Sequence, residues 1–444
     1  MKNLLFIILP YPSHYYASFP LAKKLRSEGN LITYTGTPQF EKIITNEGFR
    51  FISFKYVSEY KIKTFNVFLG LLLKSILVKS FLETRRTEFL MNILNVRKLV
   101  IESNPNEIFL DEHLSEYYIY YLNLNVKTKI LCTKTSTRKT FGIPPMDSDY
   151  MPTNSIYSNW KCEILWIFKN IKDQLKKVTY KLAFLDKDEN KFLKEYCFEN
   201  KINLNFILDC KNYFYPNILG LERIILGNRN FDYPWSRALT TESYELNEIY
   251  RDEKEFMSKE YHQFLKAIMS DLLISKFLIY FSFGTVTYKD EKRVQILLEK
   301  IITIVEKKYD LILVISQGNF IYSNKRLSHP RVFLFSFVPQ LHLLSFCDLM
   351  ITHGGHNSIK ECIQKGVKML VFPHMENNDQ PGNAARVQFG GYGLMGNLKK
   401  DSIDTITKKI DEILSNTKLE LKKKENFNKP INGYNYSVFD QIVK

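Results

Sequence analysis

Residues 2–36 read KNLLFIILPYPSHYYASFPLAKKLRSEGNLITYTG. The apolar run Leu4 to Leu9 is too short for a helix and too continuous for a half-exposed strand, so it reads as a strand buried on both faces. Pro10-Tyr11-Pro12 ends it. Apolar residues return at helical spacing from Phe19 to Glu28, Gly29-Asn30 stops that helix, and Leu31 to Thr35 is a second strand. Together they make a βαβ unit, the building block of a parallel sheet covered by helices.

The same alternation continues outward. Strands are predicted at Phe49 to Phe54, Glu107 to Leu110 and Lys129 to Cys132, and then at Phe277 to Phe281, Leu311 to Ile315, Val332 to Phe335, Leu349 to Ile351 and Met369 to Phe372. Helices fall near Lys292 to Lys307, Ser358 to Lys365 and Pro381 to Phe389. Between the halves, Thr240 to Lys266 is highly charged and lacks strand patterning, so the boundary is placed there. The expected architecture is α/β with two Rossmann-like domains: residues 1–239, a linker region 240–270, a second domain 271–415 and a C-terminal tail 416–444.

Length and composition fit this reading. The 444 residues suffice for two or three domains. A mean hydropathy of -0.22 is too polar for a multi-span membrane protein. Met1 to Leu9 lacks the length and cleavage site of a secretory signal. Lysine and arginine exceed aspartate and glutamate by 62 to 47, so the chain carries +15 and favours anionic partners. The six cysteines form no C-x-x-C pair and no ladder of short spacings, which argues against a zinc site or a disulfide scaffold and for a reducing compartment. One stretch, Phe65 to Leu82, is largely apolar, with Lys74 and Lys79 its only charged residues; it reads either as a surface-seeking helix or as a buried core helix, and the net charge favours the surface.

Ligands of doubly wound domains bind beyond the carboxyl ends of the strands, so the loops there carry the chemistry. The first strand runs into Pro10-Tyr11-Pro12-Ser13-His14 rather than a G-x-G-x-x-G turn, which disfavours a nicotinamide or flavin enzyme. His14 sits where an imidazole can take a proton at neutral pH, and Asp111 follows a neighbouring strand. The two read either as a dyad, with the carboxylate fixing the imidazole's tautomer, or as independent loop residues. Asn357-Ser358 opens a helix beside glycines, either as an anion-binding helix start or as a plain N-cap. His113, two residues past Asp111, reads either as lining the acceptor cleft or, in preference, as a surface-loop residue, and Asp147-Ser148-Asp149 as a solvated carboxylate pair rather than a metal site.

The order Phe337-Val-Pro-Gln340, Thr352-His-Gly-Gly-His-Asn-Ser358, Glu361 and Asn378-Asp-Gln-Pro-Gly-Asn-Ala384 resembles the signature of the UDP-glycosyltransferase family, W-x-P-Q, H-x-G-x-N-S-x-x-E and D-Q-x-x-N-A. Phe281-Ser-Phe-Gly-Thr285 is similar to the family's strand and phosphate-contacting turn, and His14 with Leu21-Ala22 to its G-H-x-x-P start. The chain departs from the pattern with Phe337 for tryptophan, Ser13 for glycine, Ala17 for proline and His356 where plant members often carry tryptophan.

The resemblance implies a glycosyltransferase B-type fold, two Rossmann-like domains facing across a cleft, with the acceptor in the first domain, the UDP-sugar in the second and the tail crossing back. It implies that Phe337 stacks on uracil, Val338 meets the base edge, Gln340 approaches the ribose and Glu361 accepts both ribose hydroxyls. Thr285, His353, Gly355, Asn357 and Ser358 would surround the diphosphate, and Asp379 and Gln380 would hold the sugar. His14 would be the base and Asp111 its partner in an inverting transfer of a hexose, glucose first, to a hydrophobic hydroxylated small molecule. No metal and no cofactor is expected, the UDP-sugar being a co-substrate. The expected setting is cytoplasmic, peripheral at an anionic membrane, without nucleic acid. Pro12-Ser-His-Tyr15 and Asp111-Glu-His113 are similar to bacterial enzymes that glucosylate carotenoids. The alternatives are a related B-type enzyme, either a sugar-nucleotide epimerase or a lipid-linked sugar transferase, and a non-catalytic nucleotide-sugar binder.

Overall fold

The computed structural model of the protein describes residues 1–55, 76–183, 189–235, 241–245, 249, 257–273, 276–284, 291–318, 329–375 and 377–424. The chain divides into two compact units: Met1–Asp252 with Gly354–Gln364 and Pro373–Gly391, and Glu253–His353 with Lys365–Phe372 and Tyr392–Lys444. Each is described by itself.

The first unit is built on seven strands: β1 (Asn3–Ile7), β2 (Leu31–Gly36), β3 (Arg50–Ser53), β4 (Glu107–Asp111), β5 (Lys127–Cys132), β8 (Glu222–Ile225) and β9 (Glu242–Tyr244). A separate antiparallel pair joins β6 (Leu208–Asp209) to β7 (Asn217–Ile218). The sheet order is β3-β2-β1-β4-β5-β8-β9 with every pair parallel. Successive side chains of β1 point to opposite faces. Leu5 and Ile7 pack with Ile108, Leu110, Val96 and Val100, while Leu4 and Phe6 pack with Ile32, Tyr34, Phe109 and Phe19. Burial on both faces is why β1 is a continuous apolar run; each such side chain contributes ~1.5 to 3 kcal/mol by leaving water.

The second unit repeats the topology with β10 (Phe277–Ser282), β11 (Leu311–Ser316), β12 (Val332–Phe335), β13 (Leu349–Thr352), β14 (Lys368–Val371) and β15 (Gly393–Met395). Their order is β12-β11-β10-β13-β14-β15, again all parallel. Ile279, Phe281, Leu313 and Ile315 bury against Leu297 and Ile301 of the helix Glu291–Lys307 and Ile406 and Ile410 of the helix Ile403–Lys424.

Three local readings change. The first helix runs Pro12–Ser27, so Ser13 and His14, expected in a loop, lie in its opening turn. Proline at the first helical position explains the early start, since its missing N–H would have no partner there and its φ suits the helix. The stretch read as free of strand pattern supplies the edge strand β9 and, from Lys259, the helix Lys259–Leu273. Of the apolar segment 65–82, residues 65–75 lie outside the described residues, and from Ile76 the chain is in the helix Ile76–Ser103. No described helix is long and apolar enough to cross a membrane.

Candidate active site

In the first unit the strand order reverses between β1 and β4, the place at whose carboxyl ends open α/β sheets bind their ligands. His14 follows β1 and Asp111 ends β4, so the topology delivers both to one point. His14 Nδ1 lies 2.6 Å from Asp111 Oδ2, and both side chains are buried. The pair is a dyad.

Asp111 receives more than one imidazole. Its Oδ2 also accepts the Leu9 N–H at 3.3 Å, while Oδ1 accepts the His113 N–H at 3.0 Å and lies 3.1 Å from His113 Nδ1. Burial alone would raise this carboxyl's pKa, but the His14 charge and the hydrogen bonds from both imidazoles hold it well below the usual carboxylate range. His113 is therefore not a surface-loop residue. Its ring meets that of His14 edge-on at 5.0 Å and packs on Tyr215 at 4.4 Å. The ligand atoms of His14, Asp111 and His113 lie within 4.8 Å of one another, the one cluster among the described residues with a donor set for a divalent cation. Asp147 and Asp149 are not part of it.

The segment carrying the dyad is braced by a buried ion pair. Arg223 of β8 bonds Glu112, Asn217 and Thr137, and Thr137 Oγ1 donates to Glu112 Oε1. Burial would raise the Glu112 carboxyl, yet Arg223 keeps it below its ordinary value. Nothing in the local sequence pairs residues 112 and 223; only the β4-β5-β8 order does.

Within the same unit, Asn357 Nδ2 donates to Ser13 O at 2.7 Å, beside His14. Asp379 is buried, and its Oδ2 accepts Asn383 Nδ2 at 3.0 Å, while Asn383 also donates to Gly354 O. Its Oδ1 lies 3.6 Å from Lys134 Nζ. That ammonium also donates to Tyr215 OH at 3.0 Å and Asn378 Oδ1 at 3.2 Å. Burial would lower the Lys134 pKa, but Asp379 raises it above its ordinary value; burial would raise the Asp379 carboxyl, and Lys134 lowers it. Lys134 was missed in the sequence, although its place two residues past β5, at the carboxyl end of a strand, is a signal of the kind that found His14. Gln380 turns its Oε1 to the backbone N–H groups of His374 and Met375, each at 3.0 Å. Gly355 and Ser358 flank the start of the helix His356–Lys365, and Glu361 is buried one turn further on. His356 is buried, and neither ring nitrogen has a hydrogen-bond partner among the described residues.

In the second unit the order reverses between β10 and β13, and Gly284 and His353 meet after these strands. Gly284 holds φ +72, and a Cβ there would come within 2.9 Å of His353 Cε1, so any larger residue would both strain the turn and displace the imidazole. Phe337 is half-exposed and Val338 buried in the loop before the short helix Gln340–Leu343, where Gln340 Oε1 accepts from Tyr280 OH at 3.2 Å. Thr285 lies outside the described residues.

Residues 292–433 match the glycosyltransferase family 28 C-terminal domain. Among curated relatives, a Bacillus subtilis (strain 168) protein described as an uncharacterized UDP-glucosyltransferase, YdhE, is 31% identical over 141 residues, which cover 29% of this chain and 35% of that protein. Human UDP-glucuronosyltransferase 3A2 is 40% identical over 79 residues, covering 17% of this chain and 15% of its own. The chain thus spans about a third or less of the length of these relatives. Among solved structures, the glycotransferase of kitacinnamycin aligns with a TM-score of 0.64 at 16% identity, covering 95% of both chains. Spinosyn rhamnosyltransferase SpnG, complexed with thymidine diphosphate, aligns with 0.56 at 14% identity over 94% of this chain and 92% of its own. The chain has the fold of these glycosyltransferases, and stretches of it are similar in sequence to UDP-glycosyltransferases.

Proposed function

We propose that this chain is a UDP-sugar-dependent glycosyltransferase that moves a hexose, glucose first, to a hydroxyl of a hydrophobic small molecule with inversion at the anomeric carbon. The observation that carries the reading is the 2.6 Å bond between His14 and Asp111 at the point where the first sheet changes direction. With Nδ1–H donated to the carboxylate, Nε2 holds the lone pair that accepts the acceptor's proton. As that proton leaves, the acceptor oxygen bonds the anomeric carbon and the sugar's bond to the diphosphate breaks, so UDP departs with the electron pair. Asp111 stabilises the imidazolium that forms. A single displacement inverts the centre.

In this reading Glu361 accepts the ribose hydroxyls, Phe337 stacks on uracil, and Val338 and Gln340 complete the nucleoside contacts. Thr285, His353, Gly355, Asn357 and Ser358 surround the diphosphate, with N–H groups and the positive end of the helix His356–Lys365 offsetting its charge without a metal or cofactor. Asp379 and Gln380 hold the sugar; Asp379 keeps lone pairs for its hydroxyls while paired with Lys134. The proposed setting is cytoplasmic, where the acceptor is met at a membrane surface.

The test is a mass-spectrometric screen of UDP- and TDP-sugars against hydroxylated lipids, carotenoids and phenolics, run beside His14→Ala. The expected result is glycoside formation with UDP-glucose and a loss of ~10²- to 10⁴-fold in rate in the variant. Epimerised sugar without acceptor, or UDP binding without release, would overturn the reading in favour of an epimerase or a binder.

A further inference from the structure

The helix Ile156–Ala183 presents two unlike faces. Cys162 and Trp166 are buried, Trp166 donating to Ile143 O at 2.9 Å, and Lys169 is buried beside them, donating to Tyr213 O at 2.9 Å. These residues recur at i, i+4 and i+7 and fasten the helix to its unit. On the opposite face Trp160, Ile164, Ile167, Phe168, Ile171 and Leu175 are 47% to 66% exposed. At 100° per residue these six fall within an arc of about 100°, and at 1.5 Å per residue they run for ~22 Å.

Scattered apolar residues on a surface are ordinary, but a continuous stripe of this size marks an interaction face. Its surroundings indicate the partner. The helix carries six lysines against two acidic residues, in a chain of net charge +15. On the helical wheel Lys161, Lys172 and Lys176 follow one edge of the stripe, and Lys177 lies beyond the other. That arrangement lets apolar side chains enter an acyl layer while ammonium groups stay at the level of phosphates. A second protein surface would meet the apolar stripe equally well, but it would not call for a cationic margin.

We propose that this face seats the protein on the surface of an anionic lipid bilayer, with the helix lying in the interface plane. Lys172 also donates to the side chain of Asn377, two residues before Asp379, so the seated helix adjoins the loop assigned to the donor sugar. A hydroxylated amphiphile could then be met from the bilayer. The inference sharpens the membrane-surface acceptor of the proposed reaction and rests on that reading only for its purpose; lipid binding is measured without turnover, so either can fail alone.

The experiment is flotation of the full chain with vesicles of phosphatidylcholine alone or mixed with phosphatidylglycerol, at low salt and at 1 M salt. Tryptophan emission gives an independent readout, because of the three tryptophans Trp166 is buried and Trp235 half-buried, leaving Trp160 on the stripe. The expected result is binding to anionic vesicles, weakened by salt, with a blue shift that Trp160→Phe removes. The triple variant Trp160→Ser, Ile164→Ser, Phe168→Ser should bind about tenfold more weakly or worse, a change of ~1.4 kcal/mol, and Lys161→Glu with Lys176→Glu should abolish the preference for phosphatidylglycerol. The substituted side chains are largely exposed, so these variants should melt as the parent does. Failure of the parent to float at low salt would overturn the proposal. So would flotation indifferent to all of these variants, or a self-associating parent whose oligomer, rather than lipid binding, is lost in the triple variant.

Discussion

Asp111→Asn removes one charge and almost no volume, and the geometry dictates how it should fail. The two carboxylate oxygens face four hydrogen-bonding groups: His14 Nδ1 and Leu9 N on Oδ2, His113 N and His113 Nδ1 on Oδ1. A carboxamide offers one oxygen and one NH2. If the NH2 takes the Oδ2 side, it faces His14 Nδ1, which must become the acceptor; the proton moves to Nε2 and the base is lost. If it takes the Oδ1 side, His14 keeps its tautomer but loses the charge that stabilises its imidazolium. Either orientation sets one backbone N–H, of Leu9 or His113, against another N–H, which costs ~1 to 3 kcal/mol of stability. The rate should fall by ~10²- to 10⁴-fold. Because the ionised form of Asp111 is the stabilised one, its contribution is complete above the unfolded pKa of ~3.9 and drains as pH falls toward the lower folded value, so the variant should also lose part of the parent's acid sensitivity. The assay is UDP release at saturating substrates, with UDP affinity by calorimetry, unfolding curves at pH 7 and 3, and nitrogen chemical shifts of His14 to report the tautomer. A folded Asp111→Asn protein turning over at the parental rate would refute the assignment.

If Glu361 accepts the ribose hydroxyls as proposed, calorimetry on Glu361→Ala should show UDP binding weakened by ~1 to 3 kcal/mol; parental affinity would remove Glu361 from the donor site. Arg223→Leu leaves the Glu112 carboxylate buried without its counterion and should cost ~3 to 5 kcal/mol in urea unfolding, and a parental midpoint would show that the pair does not brace the segment. Burial, with Lys360 adding to it, pushes the His356 imidazole down to about 3. Its folded form therefore binds fewer protons than the unfolded chain between pH 3 and ~6.5, and stability is lost as pH falls through that window, by ~1.6 kcal/mol from pH 6.5 to 5. His356→Met should flatten that slope, and an unchanged slope would assign it to other groups.

The sheets were legible because parallel strands are buried on both faces: Leu4 to Leu9 and Phe277 to Phe281 announce β1 and β10 as apolar runs. The three-residue strands β9 and β15 and the four-residue β8 are too short to display a period. His14 and Asp111 could be found because each lies at or soon after the carboxyl end of a legible strand. Lys134, Tyr215 and Arg223 could not be matched to their partners, since the pairings join positions 81 to 244 residues apart and exist only after the strands have been ordered. The stripe from Trp160 to Leu175 does carry helical spacing in the sequence, but spacing alone cannot tell which face of a helix meets solvent.

The salt bridge between Lys134 and Asp379 ties together two positions far apart in the chain. On the proposed assignment of Asp379 to the donor sugar, a substitution written there, whether by selection or in the laboratory, would leave an ammonium buried without its counterion and bonded to the phenol that packs on His113, the second imidazole on Asp111. The first substitution would then register as lost protein rather than altered specificity. Variants with a new donor are accordingly expected as paired replacements at 134 and 379, the second restoring what the first removes, and libraries that vary the motif loop alone would pass over them.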